Sequence, residues 1–205
     1  AACLEFISAP QPWFDNAQLD IFRTAKPSTR SFETNIQLLR RRPCRAHDKT
    51  MILIEKAARR LTFVDGETGK TVFSCPVSLG FCPNGPKMRE GDGRTPEGRY
   101  RVVTINRQSR FHTALGLSYP SPADVRRARR EIAVSPLARL RIRAAALLGL
   151  RPPWKTPLGG FVMIHGEHPE QKPGDWTAGC IALSNENIDK LASLVHKGEP
   201  VQITP

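Results

Sequence analysis

The sequence predicts a β-rich α+β fold, on three observations. From Met51 onward, short apolar and β-branched runs alternate with turns rich in glycine and proline. One stretch near the C-terminus carries apolar residues at helical spacing. Between them lies an insertion, residues 121–150, that reads mostly helical. Hydrophobic residues make up 40% of the 205-residue chain, enough to build a core.

Residues 1–49 differ from the rest. They mix Pro, Ser, Arg and polar residues around a weak apolar patch at Phe14, Leu19, Ile21 and Phe22. Pro43, after Arg40-Arg41-Arg42, stops any helix there. The expectation is an N-terminal extension, partly ordered, in front of a main domain spanning residues 50–205. In that domain, 51–55 is a first strand. Residues 61–65 and 71–75, joined by Gly66-Glu67-Thr68-Gly69, read as a hairpin. Residues 80–98 form a long loop with Pro83, Pro86, Pro96 and five glycines. Residues 100–105 are a further strand, and 161–164 a strand ending at His165. Ser184 is a suitable N-cap for a helix carrying Ile188, Leu191 and Val195 and ending at Gly198. Residues 201–204 close the fold as a last strand.

In the insertion, a break is expected near Pro136. Arginines such as Arg126, Arg127, Arg129, Arg130, Arg139, Arg141 and Arg143 outnumber the two acids, Asp124 and Glu131. Interleaved Ile132, Leu140, Ile142 and Leu147 give an apolar side.

The formal net charge is +12, with 31 Lys and Arg against 19 Asp and Glu. That balance favours anionic partners: nucleic acid, anionic lipid or the acidic polymers of a cell wall. No zinc-ligand spacing, RNP-like strand or P-loop accompanies the charge, so no nucleic-acid partner is expected. No run of eighteen apolar residues and no secretory signal is present in these 205 residues, so no transmembrane segment is expected. The five cysteines (Cys3, Cys44, Cys75, Cys82 and Cys180) fit one reactive thiol plus up to two disulfides. With Cys180 free, the others allow three pairings, among them Cys75 with Cys82 and Cys3 with Cys44. No metal or organic cofactor is implied.

The chemistry concentrates in two segments. Met163-Ile164-His165-Gly166 places an imidazole at a strand end, and Asp175-Trp176-Thr177-Ala178-Gly179-Cys180 places a thiol fifteen positions later. A neighbouring imidazole can take the thiol proton and make sulfur a nucleophile. The small residues before the sulfur let backbone N–H groups near Gly179 and Cys180 approach a developing oxyanion.

This arrangement resembles the signature of the L,D-transpeptidase (YkuD) family: Ile-His-Gly, a gap of about fifteen, then Ser/Thr-x-Gly-Cys-hydrophobic. Gly91-Asp92-Gly93-Arg94-Thr95-Pro96-Glu97-Gly98 resembles the family's Gly-Asp-x-x-Thr-Pro-Glu-Gly turn. Phe111-His112 and Ser118-Tyr119-Pro120 are similar to a further family segment. The resemblance spans residues 50–205. Two positions depart from it: Ala178, where many members carry His, and Ala182, where many carry Arg or Asn.

The resemblance implies a mixed β-sandwich with peripheral helices and the helical insertion. It implies acyl transfer on peptidoglycan stem peptides in the periplasm or cell envelope. Cys180 would be the nucleophile and His165 the base, oriented by the backbone carbonyl of Gly166. Gly179 and Cys180 would supply the oxyanion N–H groups, with His112, Tyr119, Trp176 and Thr177 on the substrate side. A thioester formed on Cys180 would pass to an amine of a second stem, giving a 3–3 or 1–3 link. Water as acceptor would make the enzyme an L,D-carboxypeptidase or amidase. Carbapenem-type β-lactams would acylate the same sulfur. The arginines of the insertion are expected to form a basic flap beside the cleft, because stems carry carboxylates. A reading of another class is a non-catalytic basic envelope-binding protein, which inert Cys180 in thiol labelling would favour.

Overall fold

A computed structural model describes residues 50–170 and 173–205. The expected extension at 1–49 lies outside the described residues. Eight strands form one mixed sheet in the order β3-β2-β1-β8-β4-β5-β6-β7. They are β1 (Thr50–Glu55), β2 (Arg60–Asp65), β3 (Thr71–Pro76), β4 (Gly98–Ser109), β5 (His112–Leu117), β6 (Met163–His165), β7 (Ile181–Ala182) and β8 (Pro200–Thr204). Three helices accompany them among the described residues: α1 (Pro122–Ala128), α2 (Pro136–Leu148) and α3 (Asn185–Leu194).

The strands form where the sequence alternates. β1 buries Ile52 and Ile54, β2 Leu61 and Phe63, β3 Phe73 and Cys75, and β8 Val201 and Ile203. Successive side chains in a strand point to opposite faces, so each of these sets lines one core. β1 runs parallel to β8, and β4 antiparallel to it. β4 serves both halves of the sheet. Gly98–Arg101 pairs with β8, and Val102–Ser109 pairs with β5. A register shift between Val102 and Thr104 falls where the two roles meet. Such irregularities increase twist and bend a strand, and the sheet curls into a half-barrel.

The helices start where their caps dictate. Ser121 and Asp124 form a reciprocal capping box on α1, with Pro122 in its first turn. Ser135 caps α2, and Gly149, at φ 65°, ends it with its N–H on Ala145 O. The break expected near Pro136 is therefore the start of α2. Ser184 caps α3 by accepting from Asn187 N–H, and α3 buries Ile188, Leu191 and Ala192. α3 stops at Leu194, before the expected Gly198, because Val195 turns extended while its N–H still bonds Leu191 O.

The cysteines correct one expectation. Cys75 and Cys180 are free thiols, whereas Cys82 is disulfide-bonded. A Cys75–Cys82 bridge therefore does not form. Cys75 sits in the core, and burial pushes its thiol up to about 11.

Candidate active site

His165 is the last residue of β6, and Cys180 directly precedes β7. The two strands pair in parallel, with Ile164 opposite Ile181 and His165 opposite Ala182. Cys180 lies two residues before Ala182, so it shares the face that His165 occupies. Fourteen residues of intervening chain thus bring imidazole and thiol to one sheet face.

His165 is almost wholly buried. Its Nδ1 lies 2.7 Å from Gly166 O. A carbonyl only accepts, so Nδ1 carries the proton and Nε2 keeps its lone pair. The Phe111 ring stacks on the imidazole at 4.6 Å between centroids and 22°. Trp176 flanks it at 5.7 Å, and His168 packs edge-on against Trp176. Burial in this aromatic setting lowers the His165 pKa to about 4, against a smaller upward pull from the Gly166 carbonyl. The ring is neutral at ordinary pH.

Cys180 is partly buried. Its Sγ lies 3.5 Å from Phe161 O, which accepts from the thiol. Phe161 holds φ 53°, a left-handed conformation rare for a side chain of this size, and that aims its carbonyl at the sulfur. Burial raises the Cys180 pKa above 9.0. The Met163 N–H and the nearby Lys87 ammonium pull it partly back. The resting pair is therefore neutral thiol and neutral imidazole.

The loop before the sulfur is strapped in place from several sides. Asp175 accepts from Leu79 N–H through one oxygen and from the Arg59 guanidinium, at 2.8 and 3.1 Å, through the other. Thr177 exchanges backbone hydrogen bonds with Leu79 and Phe81. Its hydroxyl donates to Cys180 O at 2.7 Å and accepts from Gly179 N–H at 3.1 Å. Thr95 donates to the same Cys180 carbonyl at 3.4 Å and accepts from Gly80 N–H. Gly179 stands at φ 131°, and a Cβ there would lie 2.6 Å from Arg94 O and 3.5 Å from Lys87 Nζ. Only glycine fits that backbone without displacement.

Lys87 and Asp92 form a buried ion pair, 2.7 Å long, beneath this loop. Asp92 also accepts from the backbone N–H groups of Met88, Arg89 and Arg94. Burial alone would raise its pKa. The Lys87 charge and the N–H donors outweigh that and hold it below the usual carboxylate value.

Several expected site residues find other places. Tyr119 does not line a cleft: it is fully buried, and its hydroxyl donates to Leu158 O at 2.8 Å. His112 turns toward α3, where its Nε2 lies 2.6 Å from Asp189 Oδ2. Its neighbour Phe111 is the residue that reaches the imidazole. Thr177 is buried, and its hydroxyl holds the loop together. Gly179 N–H donates to the Thr177 hydroxyl. Trp176 lies beside His165 and lines a groove of about 380 Å³ with His168, Glu167, Ser78 and Ala182. A larger cavity, about 890 Å³, opens beside α1 and α2 and contains none of these residues. Phe111, Lys87 and Asp92 were not singled out by spacing. Phe111 adjoins the His112 of a motif, and Asp92 lies inside the Gly-Asp turn.

The sequence of the L,D-transpeptidase catalytic domain (YkuD) matches residues 49–203. The chain belongs to this family. Solved structures share the fold of the family domain. The helical cell shape determining protein Pgp2 from Campylobacter jejuni is 25% identical, with TM-score 0.54, over 75% of this chain and 46% of that one. A mutant of Pgp2 gives 24% identity and TM-score 0.56, over 77% and 47%. Bd1075 from Bdellovibrio bacteriovorus gives 23% identity and TM-score 0.51, over 78% and 49%. The chain therefore spans less than half the length of these structures. No curated protein matches the sequence. Among the described residues no helix is long and apolar enough to cross a membrane, and no His, Cys, Asp or Glu cluster is arranged to hold a metal.

Proposed function

We propose that this L,D-transpeptidase-family chain is a cysteine acyltransferase of the cell envelope, acting on peptidoglycan stem peptides. The observation that carries the reading is the His165 imidazole, tied through Nδ1–H to the Gly166 carbonyl and sharing a sheet face with Cys180. Nε2 is then the basic nitrogen available on that face. It takes the Cys180 proton as sulfur attacks the carbonyl carbon of an L,D peptide bond. The oxyanion so formed is assigned to the Cys180 N–H, because Gly179 N–H is held by Thr177. Collapse expels the leaving amine, which takes its proton from the His165 imidazolium and leaves a thioester on Cys180. An amine of a second stem then attacks, His165 accepts its proton, and the crosslink is released with the thiol restored.

The neutral resting pair suits this order of events. With its pKa near 4, the imidazole is unprotonated at ordinary pH, so Nε2 holds a free lone pair. The Phe111 and Trp176 rings pack against the imidazole. The test is incubation of the protein with purified stem tetrapeptides, with products identified by mass. Crosslinked dimers, or stems shortened by one residue where water is the acceptor, are expected and must vanish in Cys180→Ala. Unmodified stems under all conditions, with Cys180 inert to thiol reagents, would refute the reading.

A further inference from the structure

Helix α2 has two apolar sides. Its inner side buries Ile142 and Ala145, with Ala138 packed against the core. Its outer side carries Leu137, Leu140, Ala144 and Leu147, at i, i+3, i+7 and i+10, with Leu148 beside them. At 100° per residue these fall within an arc of about 100° on the face opposite Ile142. The four leucines are all exposed, Leu147 by 84%. Among the described residues, seven large hydrophobics are exposed, and five of them lie in Leu137–Leu150. The stripe is thus a local feature and not the scatter found on any protein surface.

Arginines border the stripe on both sides: Arg141 on one, Arg139 and Arg143 on the other, all exposed. α2 holds no acidic residue. Exposed Arg126, Arg129 and Arg130 extend the positive field from α1 and the loop after it. The large cavity opens beside the same helix. It combines Ile142, Ala145 and Leu150 with Arg99, Arg101 and Arg126, an apolar and cationic lining suited to an amphiphile with an anionic head.

From this surface we infer that α2 docks the protein on an anionic phospholipid bilayer, lying in the plane of the membrane. Leu137, Leu140, Leu147 and Leu148 enter the acyl boundary. The bordering arginines extend sideways to the lipid phosphates, their stems covering apolar surface while their heads stay at the polar level. A second copy of the chain fits less well. Face-to-face pairing sets one row of arginines against another, with no acid on α2 to compensate. Neither the leucine stripe nor the adjoining cavity includes Cys180 or His165, so the inference stands or falls independently of the proposed acyl transfer.

The test is flotation of the full 205-residue chain with vesicles of phosphatidylcholine alone and of phosphatidylcholine mixed in equal parts with phosphatidylglycerol. Binding to the mixed vesicles is expected, weaker by at least about tenfold without the anionic lipid and falling with salt. Leu140→Ser with Leu147→Ser, and separately Arg141→Gln with Arg143→Gln, each weaken it by roughly tenfold or more. Alkylation of Cys180 stays at the wild-type rate in both, reporting an intact fold. Equal binding to neutral and anionic vesicles would overturn the inference. So would unchanged binding of the leucine variant, which reduces the surface to charge alone. Absence of vesicle binding overturns it too, and sedimentation then decides whether the leucines instead join two copies.

Discussion

Asp92→Asn tests the most buried electrostatic element near the site. It removes the charge that balances Lys87 while keeping a side chain of the same shape. Lys87 and Asp92 are both nearly inaccessible and lie 2.7 Å apart. Removing one partner of a buried pair leaves the other charge uncompensated, at a cost of about 3–5 kcal/mol. For a unit of this size that corresponds to a fall in Tm of roughly 10 °C. Thermal and urea unfolding read it directly. The pH dependence has a definite sign. The Asp92 pKa is depressed in the folded state, so its contribution is complete above the unfolded value of about 4 and is lost as pH falls through the folded value. The gap between wild type and variant is therefore constant from neutral pH down to about 5 and closes only in acid below that. The double variant Lys87→Met with Asp92→Leu, lacking both charges, should be more stable than either single change. A loss under about 1 kcal/mol in Asp92→Asn, or a double variant as unstable as the summed singles, would show that the pair does not act as a buried unit. Loss of Lys87 also removes a downward pull on the Cys180 thiol, so its alkylation profile moves to higher pH.

Three further outcomes are expected. Cys180→Ala keeps the fold and loses acyl transfer by several orders of magnitude, and a carbapenem-type β-lactam adds once to the wild type and not to this variant by intact mass. Because the thiol is raised and His165 is neutral down to about 4, iodoacetamide labels Cys180 slowly at neutral pH and faster as pH rises, while buried Cys75, at about 11, stays unlabelled in native protein; fast, pH-independent labelling of Cys180 between pH 5 and 8 would instead reveal a thiolate–imidazolium pair. Gly179→Ala forces a Cβ to 2.6 Å from Arg94 O in a left-handed backbone, destabilising the protein by roughly 3 kcal/mol or more and displacing Cys180, as unfolding and labelling rates would both show.

The parts of this protein that could be read from sequence are those in which local pattern and tertiary demand coincide. β1, β2, β3 and β8 alternate because one face of each meets the core, and α3 shows its buried stripe and its serine cap in plain order. β5 was missed because Thr113–Leu117 is buried on both faces, which erases alternation. β7 has two residues and exists only through pairing with β6 and the Ser78 bridge. The site divides in the same way. His165, Gly166 and Cys180 lie in short contiguous motifs, and their juxtaposition follows once two strands pair. The bonds of Gly179 and Thr177 are less legible, since a hydroxyl three residues before a carbonyl closes a local turn that also takes the Gly179 N–H. The partners of Tyr119 and His112 are not legible, because their polar ends bond Leu158 O and Asp189, far away in sequence. Phe111 is not legible for the converse reason: an aromatic side chain has no chemistry of its own to mark it, and it meets His165 by stacking on the imidazole. A sequence motif thus locates the groups that form and break bonds. The groups that set their protonation are chosen by packing, and for this protein those are the burial of both side chains, the Gly166 carbonyl at His165, and the Met163 N–H and Lys87 charge at Cys180.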